Sequence, residues 1–287
     1  MTRRALSVLA LLLAAGPAGA QYSAYALRTN AAGAQELVTF GTSGSAAVTV
    51  VGLTGTSLRG LDFRPADGLL YGYDGSRLYT ISTATGTATL LSDVGDIATA
   101  GVGVDFNPVA NALRLTGTDG TNLRIAGAGL ATTNTDTPLS YTDGTPGIPA
   151  LGAVAYTNSV AAPASTQLYG IDLTRGTLVL SSNANGGLYS TVGSLGLGTN
   201  LSSLVGFDIL TVGSTNLAFL QLATGAAASM LYTVDLQTGA ATMTGAIGGG
   251  RQVEGLAVAT VPEPGTWALL ATGLVGVGAA ARRRRRA

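Results

Sequence analysis

The chain of 287 residues contains no histidine, no cysteine and no lysine, and only 10% of its residues are charged. Without histidine it lacks the commonest general base and the commonest metal-ligating side chain. Serine–histidine triads, cysteine–histidine dyads, zinc centres and haem attachment all lose an essential member. Without cysteine, an exported fold must rely on its core and not on disulfides. No phosphate-cradling GxxxxGK[ST] is present, and glycine runs such as Gly248-Gly249-Gly250 read as turns. The formal net charge of zero averages unlike parts. Seven of the fifteen arginines sit at the two ends, and between residues 21 and 260 eight arginines face fourteen carboxylates. The interior thus carries about −6, a sign that does not seek nucleic acid or an anionic membrane surface.

What is present is clearest at the ends. Arg3-Arg4 and the apolar run Ala5 to Ala15 form the basic and hydrophobic regions of a signal peptide. Ala18-Gly19-Ala20 is an A-x-A cleavage site, so residues 1–20 are a signal peptide and the mature chain begins at Gln21. At the other end, residues 261–287 hold Pro262-Glu263-Pro264, an uncharged stretch from Gly265 to Ala281, and the run Arg282, Arg283, Arg284, Arg285 and Arg286. A helix over those 17 uncharged residues is about 26 Å long at ~1.5 Å per residue, slightly short of a ~30 Å bilayer core. Local thinning and snorkelling arginines accommodate that difference. Trp267 stands where an interfacial anchor belongs, and the arginines fix the cytoplasmic side. In this order and at this end, the three parts resemble the PEP-CTERM sorting signal of Gram-negative bacteria. The resemblance implies an exosortase-type enzyme and a signal peptidase as partners. It further implies export through the inner membrane, a transient anchor in that membrane, and a final place at the cell surface or outside the cell.

Residues 21–260 remain for folding, a plausible single domain. Their many glycines, threonines and serines, with turn signals every ~8–12 residues, predict an all-β chain. Five segments share a glycine followed by an apolar strand: GLDF at Gly60, GVDF at Gly103, GAVAY at Gly152, GFDIL at Gly206 and GLAVA at Gly255. Their spacings of 43, 49, 54 and 49 residues suit four-stranded propeller blades. Three strands precede the first glycine (Tyr22 to Arg28, Glu36 to Gly41, Ala46 to Val51), and one follows the last, Leu256 to Ala259. Together they predict a fifth blade and a five-bladed β-propeller closed by pairing of its N- and C-terminal strands, followed by a single C-terminal transmembrane helix. The segments GLDFRPADGLLYGYDGSRLYTI, GVDFNPVANALRLTGTDGTNLRI and LYGIDLTRGTLVL are similar to a secreted bacterial family, domain of unknown function 4394, over about residues 55 to 260. That resemblance implies a propeller and supplies no chemistry.

Two sets of residues are candidates for a site. Asp62, Asp105 and Asp208 stand at the same point of three first strands, where the other two carry Val154 and Ala257, with Glu254 nearby. First strands are innermost in a propeller, so these carboxylates approach the central channel. They suit a Ca²⁺ site or a carboxylate set for glycoside chemistry. As scaffold they would accept backbone N–H bonds beside tight turns. Arg114 and Arg124 interrupt neighbouring strands and could hold a carboxylate or uronic acid bidentately, or pair within the blade with Asp105 or Asp119. Tyr71, Tyr79, Tyr169 and Tyr232 recur at corresponding strand positions, as inter-blade packing does. No catalytic residue and no resident metal or cofactor is expected. The expected function is a non-catalytic binding or structural module at the cell surface or in an exopolysaccharide matrix. A polysaccharide hydrolase or lyase using the inner carboxylates is the alternative.

Overall fold

Turn chemistry cuts the chain into short strands. Between residues 73 and 77, Asp74 Oδ1 accepts the backbone N–H of Ser76 (3.0 Å) and Arg77 (2.7 Å). Gly75 adopts φ +112° there, a conformation that L side chains rarely take. The computed structural model describes residues 22–41, 46–97, 99, 101–224 and 228–260. The signal segment with Ala18, Ala20 and Gln21, and the tail with Pro262, Glu263, Pro264, its expected transmembrane helix and Arg282 to Arg286, lie outside the described residues. Among those described, no helix is long and apolar enough to cross a membrane.

Five sheets, antiparallel but for one added edge strand, surround one axis. The N-terminal strands are β1 (Tyr22–Thr29), β2 (Gln35–Gly41) and β3 (Ala46–Thr49). The next sheet is β4 (Gly60–Phe63), β5 (Leu70–Tyr73), β6 (Arg77–Ile81) and β7 (Ala88–Asp93). A third is β8 (Val102–Asn107), β9 (Ala112–Gly117), β10 (Asn122–Ala126) and β11 (Thr132–Thr135). The fourth has five strands: β12 (Ser140–Tyr141), β13 (Leu151–Tyr156), β14 (Leu168–Asp172), β15 (Thr177–Asn183) and β16 (Leu188–Ser194). The fifth is β17 (Val205–Val212), β18 (Thr215–Thr224), β19 (Ala228–Val234) and β20 (Ala241–Ile247), and β21 (Glu254–Thr260) ends the domain.

Strand β21 pairs with β1, Tyr22 opposite Thr260 and Tyr25 opposite Ala257, and so becomes the innermost strand of the N-terminal blade. The expected five-bladed propeller with mixed-terminus closure is therefore present. The irregular stretch between Thr132 and Pro149 is more ordered than its sequence suggests. It supplies β11 and then β12, which adds to the outer edge of the fourth blade parallel to β16.

The repeated glycines have a steric cause. The innermost strands β4, β8, β13, β17 and β21 form a ring around the axis. A Cβ on Gly60 would run into the Val104 side chain, and one on Gly206 into the backbone of Gly255 and Leu256. Only glycine lets adjacent strands converge this far. Hydrophobic cores then fill the seams between blades. Tyr71 meets Phe106 of the next blade edge-on at 5.0 Å, and Tyr79 joins Leu27 and Leu37 of the preceding blade. Tyr169 and Tyr232 are buried together in one core, so all four recurring tyrosines serve packing.

Candidate functional site

Counting two residues on from each repeat glycine places Asp62 on β4, Asp105 on β8 and Asp208 on β17. The three converge: one carboxylate oxygen from each lies within 4.8 Å of the others. Val154 and Ala257 occupy the remaining two positions and are buried. The axis on one side is narrowed by Val104, Val154 and Leu256, which leave about 10 Å³, room for roughly one water. On the other side the aspartates form the floor of a cup of about 280 Å³ walled by Phe63, Phe106, Leu210 and Val258. Arg64 lies at its edge, 5.9 Å from the Phe106 ring centre, and donates to Asn111 Oδ1 and Asp67 Oδ2.

Each carboxylate also joins two blades. Asp62 Oδ2 accepts the N–H of Phe106 at 2.7 Å, and Asp105 Oδ1 that of Tyr156 at 2.9 Å. Asp208 Oδ2 accepts the N–H of Val258 at 2.5 Å, and its Oδ1 that of Ile209 at 2.6 Å. Phe106, Tyr156 and Val258 all belong to the innermost strand of the following blade. The aspartates thus face the cup and bind the ring together.

Their electrostatics follow from that crowding. Burial pushes Asp208 up to about 6, against the two backbone N–H groups that favour its ionised form. Burial raises Asp62 well above the usual carboxylate range, and the charge of Asp208 adds to it. Asp105 is raised in the same direction by burial, then by Asp62 and Asp208. Like charges this close cannot all ionise, so the three carboxyls titrate as one set, with ionisation shifted upward for the set as a whole. Crowding therefore favours protonated forms within the set. Such a set can offer up to three oxygens to a hard cation, fewer than the six to eight that Ca²⁺ takes.

Arg114 and Arg124 are not part of this cup. Both bind Asp136, neither of the partners expected from sequence: Arg114 Nη1 at 2.7 Å and Arg124 Nε at 3.1 Å from Oδ2. Asp105 is committed to Tyr156 N–H, and Asp119 accepts from the Thr121 N–H inside its own turn. Arg114, only 1% exposed, also donates to Asn122 Oδ1 and, across the seam, to Asn185 Oδ1 of the fourth blade. With Nε reaching the Tyr156 hydroxyl, four of its donors bond inside the protein, so no bidentate clamp faces outward. Sequence reasoning missed Asp136 and Asn185. The available signal was a carboxylate in the otherwise uncharged stretch before β12. Glu254 likewise stands apart from the aspartates, at the opposite end of β21, where Gln35 Nε2 reaches it at 3.5 Å.

A family model described as a domain of unknown function, DUF4394, matches residues 36–257, and the chain belongs to that family. The PEP-CTERM protein-sorting motif matches residues 260–286. It marks the protein for processing by an exosortase and for the cell surface or extracellular space. No curated protein matches the chain. Among solved structures, the chain is similar to one from a nidogen/laminin complex at 12% identity, covering 83% of this chain and 98% of that one with a TM-score of 0.47. A putative 6-phosphogluconolactonase from Bacteroides fragilis is 12% identical, with 81% and 83% covered and a TM-score of 0.41. The SapL1 lectin in complex with alpha methyl fucoside is 16% identical, with 78% and 80% covered and a TM-score of 0.43. At these values no function passes from them to this chain.

Proposed function

We propose that the propeller is a non-catalytic binding or structural module, delivered outside the cell and associated with exopolysaccharide. In this reading the signal peptide is removed after Ala20. The stretch from Gly265 to Ala281 then anchors the chain transiently in the inner membrane with Arg282 to Arg286 on the cytoplasmic side, until the tail is cut near Pro262-Glu263-Pro264. One observation carries the non-catalytic part. Each of Asp62, Asp105 and Asp208 spends a carboxylate oxygen on a main-chain N–H of the next blade. A feature copied from blade to blade for closure is expected of scaffold, whereas a catalytic pair needs two unlike environments.

The hydrolase or lyase reading retains one observation in its favour. Three buried carboxyls, all shifted upward by burial, lie directly beneath a cup of about 280 Å³. A single variant separates the two readings. Asp105→Asn keeps an acceptor for the Tyr156 N–H and mimics the protonated acid, so it preserves the fold. With host exopolysaccharide as the probe, wild type and variant are expected to co-sediment equally and to release no reducing ends. Release by wild type that the variant abolishes would replace the binding reading with the enzymatic one.

A further inference from the structure

At the opposite end of the closing strand lies a second cavity of about 280 Å³, bounded by Thr29, Leu204, Arg251, Val253 and Glu254. Its wall is held rigidly. Gln221, fully buried, donates through Nε2 to the carbonyls of Leu204 (3.1 Å) and Val253 (2.8 Å). Ser229 Oγ accepts the N–H of Val253 at 3.0 Å. The rim is shaped by Gly248, Gly249 and Gly250, with φ of +75°, +62° and +79°. Three successive left-handed residues are a conformation that glycine adopts without strain. Rigid walls lower the entropy a ligand must overcome on binding.

Two charged groups on the cavity, Glu254 and Arg251, make few bonds among the described residues. Glu254 is half-buried, and among the described residues its carboxylate has one hydrogen bond, the long one from Gln35 Nε2 at 3.5 Å. Burial raises its pKa, against the pull of Arg59. Arg59 does not pair with it directly, because Arg59 Nη1 donates to the carbonyl of Ile97 at 2.7 Å. Arg251 is exposed, and among the described residues its one hydrogen bond is a 3.4 Å contact to the carbonyl of Thr29. The cavity therefore offers an acceptor in Glu254 and a donor in Arg251. A cationic ligand would meet Arg251, and an anionic one would meet Glu254. A neutral ligand whose hydroxyls both donate and accept satisfies the set.

We propose that this cavity binds one residue of a neutral saccharide, with Glu254 accepting from one hydroxyl and Arg251 donating to another. The proposal rests on the reading of the propeller as a binding module and names its ligand class. The test is saturation-transfer NMR on the full chain with D-glucose, D-galactose and D-mannose as probes and 1,4-diaminobutane as the charged comparison. At least one sugar is expected to bind saturably, and Glu254→Gln and Arg251→Ala are each expected to weaken it tenfold or more. Arg251 is exposed, so its variant reports on binding even if Glu254→Gln folds poorly. No saturable sugar binding, binding indifferent to Arg251→Ala, or preference for 1,4-diaminobutane would each overturn the proposal. Any of these leaves the non-catalytic reading standing, because that reading falls only if polysaccharide is cleaved.

Discussion

Asp105 shows how one side chain acts on both closure and charge. Its Oδ1 ties β8 to the Tyr156 N–H, and its proton is retained by burial and by its two neighbours. Asp105→Ala leaves that N–H without a partner and is expected to lower stability by about 1–3 kcal/mol in denaturant unfolding. Asp105→Asn should cost much less. Its effect should depend on pH in a direction opposite to common acid denaturation. The folded pKa values are raised, so the triad's contribution is fully present below the unfolded value near ~4. It is lost progressively as pH rises through the raised folded values, about 6 for Asp208 and likewise above the usual range for Asp62 and Asp105. Wild type should thus lose stability relative to Asp105→Asn as pH climbs from about 4 past about 6. Thermal melts of both proteins across that window would show it, and parallel profiles would count against a shared proton set. Asp136 tests a different mechanism. Removing it strands the buried Arg114 guanidinium, so Asp136→Ala is expected to cost about 3–5 kcal/mol. The exposed pair of Arg77 and Asp93 should be insensitive to Asp93→Ala in the same assay.

The innermost strands are the elements whose sequence and structure agree best. Glycine at the first position and Asp, Val or Ala two residues later fix both the close approach at the axis and which residue faces it. That pattern is periodic, so it was legible without coordinates, as was closure by β21. Gly206→Ala would press a Cβ onto the backbone of Gly255 and Leu256. A cost of about 1–3 kcal/mol is expected, typical of overpacking, and its measurement checks the steric account of the repeat. What the repeat does not carry was not legible. Asp136 is 22 residues from Arg114, in a stretch with no counterpart in the other blades, so spacing gave no reason to join them. Asn185, in the turn between β15 and β16, reaches Arg114 only because two blades meet. Glu254 looked like a neighbour of the inner positions in sequence. Along a strand rising about 3.3 Å per residue, the four residues to Val258 carry it to the far end.

For the whole molecule, closure and sorting meet at one point of the chain. β21 ends at Thr260, and the sorting motif begins at residue 260. Val258 supplies the N–H that Asp208 accepts, and Ala257 and Val258 are buried in two different cores. A cut inside residues 254–260 would remove the innermost strand of a blade and leave β1 with an open edge. Processing must therefore fall beyond Thr260 if the product is to remain a closed propeller. The expected extracellular species begins at Gln21 and ends near Pro262-Glu263-Pro264, without Arg282 to Arg286. Intact-mass measurement of protein from the medium or the cell surface of a host with the sorting enzyme checks both ends at once. Secreted protein that still carries the five arginines would refute processing. Folded protein ending before Glu254 would refute the role assigned to the closing strand.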